Sequence, residues 1–388
     1  MDAAPASLVN LQEYKSLTAG GGDGRSLRVG ELDGLRAVAI TMVLAFHFLR
    51  EPVPHHHWLD YPTRPLAIGF GGVDLFFVLS GFLVGGILID SRSRPAALRS
   101  FLVRRLIRIV PLYAVTVIAF YLERAAFGGG WMFDGAAPWW VFATLTQDFA
   151  TPLLQSDAWF LGPTWSLAVE VQIYILLGLL LIYAPMRAVV PLMVAGVLTA
   201  LALRALASSI DQGLFGYFAM PARIDGACVG VLVAVVLRSS RAAAVRKNTS
   251  ALIAAAALMF GAAAVLAALG QGIGTPVANW FIHLALAVGS GALIAALASS
   301  PPRLLSIILC WSPAVWLGTI SYGVYLLHKP VVGTLFAALG QSSILPDTVA
   351  AALLLIVSVI LTIAIAAASW RWFESPMIRW GHRITLVK

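Results

Sequence analysis

Two side chains in the first apolar run are spaced for joint chemistry. Arg36 and His47 lie eleven residues apart. At 100° per residue they point within about 20° of each other, roughly 16 Å apart along a helix axis. Such a face carries a permanent cation at one end and, past the middle of the run, an imidazole suited to general-base work near neutral pH. The competing reading is a histidine bonded to a backbone carbonyl for packing, and the spacing alone leaves both open.

Further on, Arg99-Ser-Phe-Leu-Val-Arg-Arg-Leu-Ile-Arg108 brings Arg104, Arg105 and Arg108 to the mouth of another apolar run. Guanidinium forks suit phosphate, although a stop-transfer cluster against anionic lipid uses the same residues. Gly69-Phe-Gly-Gly-Val-Asp74 leads into Ser80-Gly-Phe-Leu-Val-Gly85. Asp74 either orients a histidine or caps a helix start, while Gly81 and Gly85 permit close helix approach. These glycines are not a phosphate loop, since no strand precedes them and no Gly-Lys-Ser/Thr follows.

Gly162-Pro-Thr-Trp165 opens a later run with Ser166, Glu170 and Tyr174 on one stripe, and a glutamate there needs a partner. Ser321, Tyr325 and His328 share a face at i, i+4 and i+7. Arg223 and Asp225 are expected to neutralise each other. His55-His-His57 reads as solvated loop, because three adjacent histidines cannot all face one ion; no metal site is expected. His283 and His382 carry no specific signal.

These residues need elements to hold them, and composition says which. Of 388 residues, 60% are hydrophobic and 11% charged, with a mean hydropathy of +0.88; soluble domains are roughly a quarter charged. The fold class expected is an all-α polytopic membrane protein. Apolar runs near 35–50, 66–89, 106–122, 165–184, 189–208, 214–237, 251–270, 280–299, 313–339 and 349–373 make about ten transmembrane helices. With the N-terminus inside, twenty of the 26 lysines and arginines fall on one side of the alternation. That predicts both termini cytoplasmic.

The net charge of +8 is therefore a topology signal, and no nucleic acid is expected as partner. Residues 1–30 read as a flexible cytoplasmic segment without a signal peptide. Residues 31–380 form one transmembrane domain, and 381–388 a short cytoplasmic tail. Segment 123–163 sets Trp131, Trp139, Trp140 and Trp159 beside Asp134, Asp148 and Asp157. It reads as an aromatic belt with a solvated acidic loop, or as a lid whose rings stack on a sugar. Cys228 and Cys310 lie in or beside apolar runs and make no CxxC site.

Taken in order, Arg36…His47, Gly72–Phe82, Arg105…Arg108, Trp165–Glu170 and Ser321–His328 resemble the motif series of the membrane-bound acyltransferase 3 family, over about Leu32 to Pro376. The resemblance implies transfer of an acyl group, often acetyl, from acyl-CoA to a hydroxyl, usually on a sugar, in a bacterial inner membrane. On that reading His47, Arg36, Glu170 and His328 are catalytic. Arg104, Arg105 and Arg108 hold the coenzyme A phosphates, and Asp74, Trp165 and Tyr325 contact the acceptor. Acyl-CoA is a co-substrate and no cofactor stays bound.

Family members acting on surface polysaccharide often carry an extra periplasmic esterase-like domain, and none is read in this sequence. Together with Arg-over-Lys, Ala-rich usage, this tilts the expected acceptor toward a glycosylated small molecule such as a macrolide antibiotic. Lipopolysaccharide, exopolysaccharide or another surface glycan is the alternative. The rival class is a proton-coupled transporter or flippase, which also uses intramembrane His, Glu and Arg. Its usual mark, paired interrupted helices in two related halves, is not visible. The oligomeric state stays open.

Overall fold

The computed structural model describes residues 29–386 apart from Pro95 and Asp157. Most of the segment expected to be flexible, the last two residues of the tail, and one of the three loop aspartates lie outside the described residues.

Ten principal helices follow one another, with no strand among the described residues: α1 (Val29–Ala45), α2 (Gly72–Ser91), α3 (Ala97–Phe127), α4 (Thr164–Tyr183), α5 (Met186–Ser209), α6 (Met220–Leu237), α7 (Thr249–Ala268), α8 (His283–Ser299), α9 (Ser321–Ala338) and α10 (Val349–Ser369). A last helix, α11 (Ser375–Leu386), packs on α3, with Gly381 set against Ile107. Among the described residues, nine helices are long and apolar enough to cross a membrane. The run expected near 313–339 divides into Ser312–Thr319 and α9. α9 is not one of the nine: it carries His328 and Lys329, both buried. It is a polar strut, shielded from lipid by its neighbours.

Burial sorts the bundle into a centre and a rim. The most apolar stretch is 78% buried in the segment containing α2, 67% in that of α8 and 61% in that of α4, against 17% in α7. α7 and α10 are apolar all round, as lipid-facing helices must be. At the centre, α2 crosses α6 through glycine. A Cβ on Gly81 would sit 2.1 Å from the carbonyl oxygen of Ala227, and one on Gly230 would sit 2.2 Å from that of Val78. Small residues let the two backbones touch, so the glycine pair expected to allow close approach does so against α6.

Three helical segments widen into π turns: Phe46–Arg50 after α1, Ala278–Ile282 before α8, and Trp370–Glu374 after α10. Each carries a polar side chain that the interior uses, namely His47, Asn279 and Glu374. A π turn bonds i to i+5 and is frequent at functional sites.

The two ends of the bundle treat basic residues differently. Six lysines and arginines lie away from the arginine-rich end, and five of them meet a carboxylate. Asp60 binds both Arg50 (3.1 Å) and Arg64 (2.9 Å), Asp225 binds Arg204 (2.7 Å), Asp74 binds Arg223 (2.9 Å) and Glu51 binds Lys329 (3.0 Å). At the arginine-rich end, Arg36 with Asp33 and Arg238 with Asp90 are the ion pairs among the described residues. The imbalance in unneutralised charge thus exceeds the imbalance in number. Arg223 and Asp225 do not pair with each other as the sequence suggests. Residues two apart on a helix do not face one another, and each finds its partner on a neighbouring helix.

Candidate active site

A chamber opens at the arginine-rich half of the bundle between α1, α2, α3, α4 and α9. Arg36 from α1, Ser80 from α2, Arg105 and Arg108 from α3, Glu170 and Tyr174 from α4, and Ser321, Tyr322 and Tyr325 from α9 line it. Phe76, Leu79, Leu83 and Ile109 supply apolar wall. Its free volume is about 100 Å³, room for roughly three water molecules. The arrangement is a closed one, and a larger occupant must part the lining side chains.

Charge in the chamber is arranged by short bonds on α4. The Glu170 carboxylate accepts from the Ser80 hydroxyl (3.1 Å) and from Tyr174 one helical turn away. The Arg105 guanidinium lies 5.4 Å from the centre of the Tyr174 ring. Neither Arg105 nor Arg108 forms a carboxylate ion pair among the described residues, which leaves two guanidinium groups for an anion. Arg104 faces elsewhere: its Nε donates to the Ser100 carbonyl (3.0 Å) and it lies outside the chamber lining.

Tyr325 and Ser166 close the chamber at its inner end. Their hydroxyls are 2.6 Å apart, and both donate to the Pro163 carbonyl. Just past Tyr325 lie two histidines. His328 Nδ1 is 2.5 Å from the Tyr325 carbonyl, and His328 Nε2 is 2.8 Å from His47 Nδ1. A carbonyl only accepts, so Nδ1 of His328 carries hydrogen and its Nε2 is a lone pair. His47 Nδ1 is then the donor, and the lone pair of His47 is on Nε2. One carbonyl, through one fully buried histidine, sets the tautomer of a partly exposed one.

Toward the opposite end, the next residue after His328 is Lys329, buried, paired with Glu51 and 5.0 Å from the centre of the Trp159 ring. Trp159 packs on Trp131 with ring centres 5.0 Å apart, and the Trp131 indole donates to the Gln341 carbonyl. Trp139 and Trp140 are exposed. Asp148 departs from the solvated acidic loop: it is buried, accepts from Gln172 on α4 (2.9 Å) and from the Met220 amide at the start of α6 (3.1 Å). Burial pushes its carboxyl up to about 6. It ties the outer segment to two helices.

Two residues expected to touch an acceptor sit behind the chamber wall. Asp74 binds Arg223 and lies 3.3 Å from His283 Nδ1. Trp165 packs against Phe77, Tyr217 and Phe218, with the Arg223 guanidinium 6.0 Å from its ring centre. Of the two roles open to Asp74, orienting a histidine describes its contacts, and the histidine is His283, which carried no signal in the sequence. Tyr325, the third, lines the chamber.

Sequence reasoning also passed over Lys329, Ser80, Arg204 and Glu374. Lys329 and Arg204 were findable, since a cation inside an apolar run is itself a signal. Glu374 is buried beside Gly323 of α9 and accepts from Ser369; it stands where the last run already reads as tail.

Fold and site together define a polytopic membrane protein that keeps a polar, arginine-mouthed chamber inside an apolar bundle. The chain belongs to the acyltransferase 3 family, whose acyltransferase domain matches residues 29–370. It is similar to peptidoglycan O-acetyltransferase OatA of Listeria monocytogenes, 27% identical over 374 residues, which cover 91% of this chain and 56% of that protein. O-acetyltransferase OatA of Staphylococcus aureus is 25% identical over 376 residues, 91% of this chain and 57% of that one. YrhL of Bacillus subtilis is 28% identical over 382 residues, 91% and 55% respectively. The chain spans about half the length of these curated relatives. No solved structure matches it.

Proposed function

We propose that the protein moves an acyl group, acetyl in the simplest case, from acyl-CoA to a hydroxyl of a surface glycan in a bacterial cytoplasmic membrane. The observation that carries this reading is the His47–His328–Tyr325 relay, which leaves a base at His47 Nε2 directly beyond an arginine-lined chamber. The peptidoglycan acceptor of one relative supports a glycan acceptor over the macrolide expected from the sequence. The excess of unneutralised arginine supports a cytoplasmic position for the chamber mouth.

Arg105 and Arg108 then hold coenzyme A phosphates, with Arg36 beside them. Arg36 belongs to this mouth and not to the reacting carbon, because it lines the same chamber while His47 lies past Tyr325. Parting the Tyr325–Ser166 bond admits the thioester arm toward the histidines. His47 Nε2 takes the acceptor's hydroxyl proton as its oxygen attacks the thioester carbonyl. The C–S bond breaks, and the proton passes from His47 to the departing thiolate, giving ester and free coenzyme A. Glu170, bonded to Ser80 and Tyr174, holds the chamber wall in shape.

Membranes carrying His47→Ala, given labelled acetyl-CoA and a peptidoglycan acceptor, should lose transfer by about 10²- to 10⁴-fold. Near-normal turnover in that variant would remove His47 from the chemistry. Wild-type membranes that form no ester would sink the reading as a whole.

A further inference from the structure

A second cavity lies on the far side of the α3–α4 contact from the chamber. It is larger, about 600 Å³, and open between the end of α2, the start of α3 and the end of α4. Arg92, Arg94 and Arg99 line it, and no acidic residue does. The walls below are Leu102, Leu106 and Ile182, with Leu106 exposed at the bundle surface.

Arg92 is held in place for an anion it does not have. Its Nη2 is committed to the Ala184 carbonyl, while Nη1 is buried with no hydrogen-bond partner. A buried unmet donor on a charged group is costly. Neither Arg94 nor Arg99 forms an ion pair among the described residues, so three cations meet around one space. The packing of Leu98 and Phe101 against Gly178 and Tyr174 walls this space off from the chamber. A donor bound at Arg105 and Arg108 therefore does not reach it.

We infer that this groove binds the phosphate of an anionic phospholipid, one molecule at a fixed place, with its acyl chains along Leu102, Leu106 and Ile182. Two observations select a lipid over a free phosphate or a nucleotide. The cations sit where three transmembrane segments end, at headgroup depth, and the floor beneath them is apolar and continues onto the exposed flank of α3. Positive groups at that depth attract anionic lipid over zwitterionic lipid. The site is independent of the acyl-transfer reading.

The test uses the full chain purified in detergent, titrated with phosphatidylglycerol, phosphatidylcholine, inorganic phosphate or coenzyme A, and read by native mass spectrometry. One phosphatidylglycerol should be retained at least tenfold more tightly than phosphatidylcholine, and millimolar phosphate should not displace it. Arg92→Gln with Arg94→Gln and Arg99→Gln should abolish that preference, while Arg241→Gln with Arg246→Gln, outside the groove, should keep it. Equal retention of the two lipids, or an unchanged preference in the triple variant, would overturn the site. Displacement by coenzyme A would overturn the lipid as its occupant. If the triple variant does not fold, the wild-type comparison of the two lipids decides alone.

Discussion

The Arg223 guanidinium lies 2.9 Å from the Asp74 carboxylate, and both side chains are almost fully removed from the surface. His283 approaches the same carboxylate, and Phe77, Trp165 and Tyr217 surround the guanidinium at 5.3 to 6.0 Å from their ring centres. This is a structural ion pair behind the chamber wall. Breaking such a pair from one side costs about 3–5 kcal/mol, whereas replacing both partners by apolar groups costs little. Asp74→Ala should therefore lower the thermal unfolding midpoint of the detergent-purified protein sharply, and adding Arg223→Met should restore most of it. An acceptor-binding role for Asp74 would show instead as a raised acceptor KM with stability untouched.

Arg105 and Arg108 face the chamber without a carboxylate partner. A hydrogen bond to a charged group contributes about 1.5–3 kcal/mol. Arg105→Gln and Arg108→Gln should each raise the KM for acetyl-CoA about ten- to hundredfold with kcat little changed. Arg104→Gln, bonded to its own helix and outside the lining, should leave KM within a factor of about two. Initial-rate kinetics on membranes distinguish these outcomes, and a pure kcat loss at Arg105 or Arg108 would contradict phosphate binding.

His328 acts through His47. Its Nε2 accepts the proton that fixes the His47 tautomer, and a glutamine side-chain oxygen can accept the same bond where leucine cannot. His328→Leu should cut kcat about 10²-fold with both KM values steady, and His328→Gln should recover part of it. The pH–rate profile should shift in the leucine variant, which a packing defect alone would not produce.

Asp148 couples stability to pH through the opposite sign to that of a salt-bridged aspartate. Its native carboxyl titrates near 6 against an ordinary value of 3.8, so between those values the folded protein holds a proton that the unfolded chain has lost. Stability then falls as pH rises from about 4 to 6 and is flat above. Asp148→Asn should remove that slope. Unfolding midpoints at pH 4.5, 5.5 and 7 for the two proteins measure it; parallel curves would show that Asp148 ionises freely.

How much was legible beforehand divides along the chain's own geometry. Apolar runs and their spacing are local properties, so the helices and the stripe Ser166–Glu170–Tyr174 could be read directly. The Arg105–Arg108 mouth could be read too, because both residues sit on one helix face. What decides the site is contact between helices far apart in sequence. His47 meets His328 across 281 positions, and Asp74 meets Arg223 across 149. No periodicity within one run reports which face of another it will touch, so Arg223 was matched with its neighbour Asp225. Asp148 looked like solvated loop because loop composition says nothing of the helices that later close over it. α9 was read as an ordinary span although Lys329 makes it dependent on its neighbours for shelter.

The π turn at Phe46–Arg50 bears on which length changes the gene can tolerate. Deleting one residue there would let the segment relax to α geometry and turn everything after the cut by about 100°. Either His47 would leave His328, or Glu51 would leave Lys329. A frame-preserving deletion in this turn is therefore equivalent to losing the base. The same deletion among Gly128, Gly129 and Gly130, around which nothing packs within 4 Å of a built Cβ, changes only loop length. Natural variants of this chain should vary in length at the glycines and keep one count from Arg36 to Glu51.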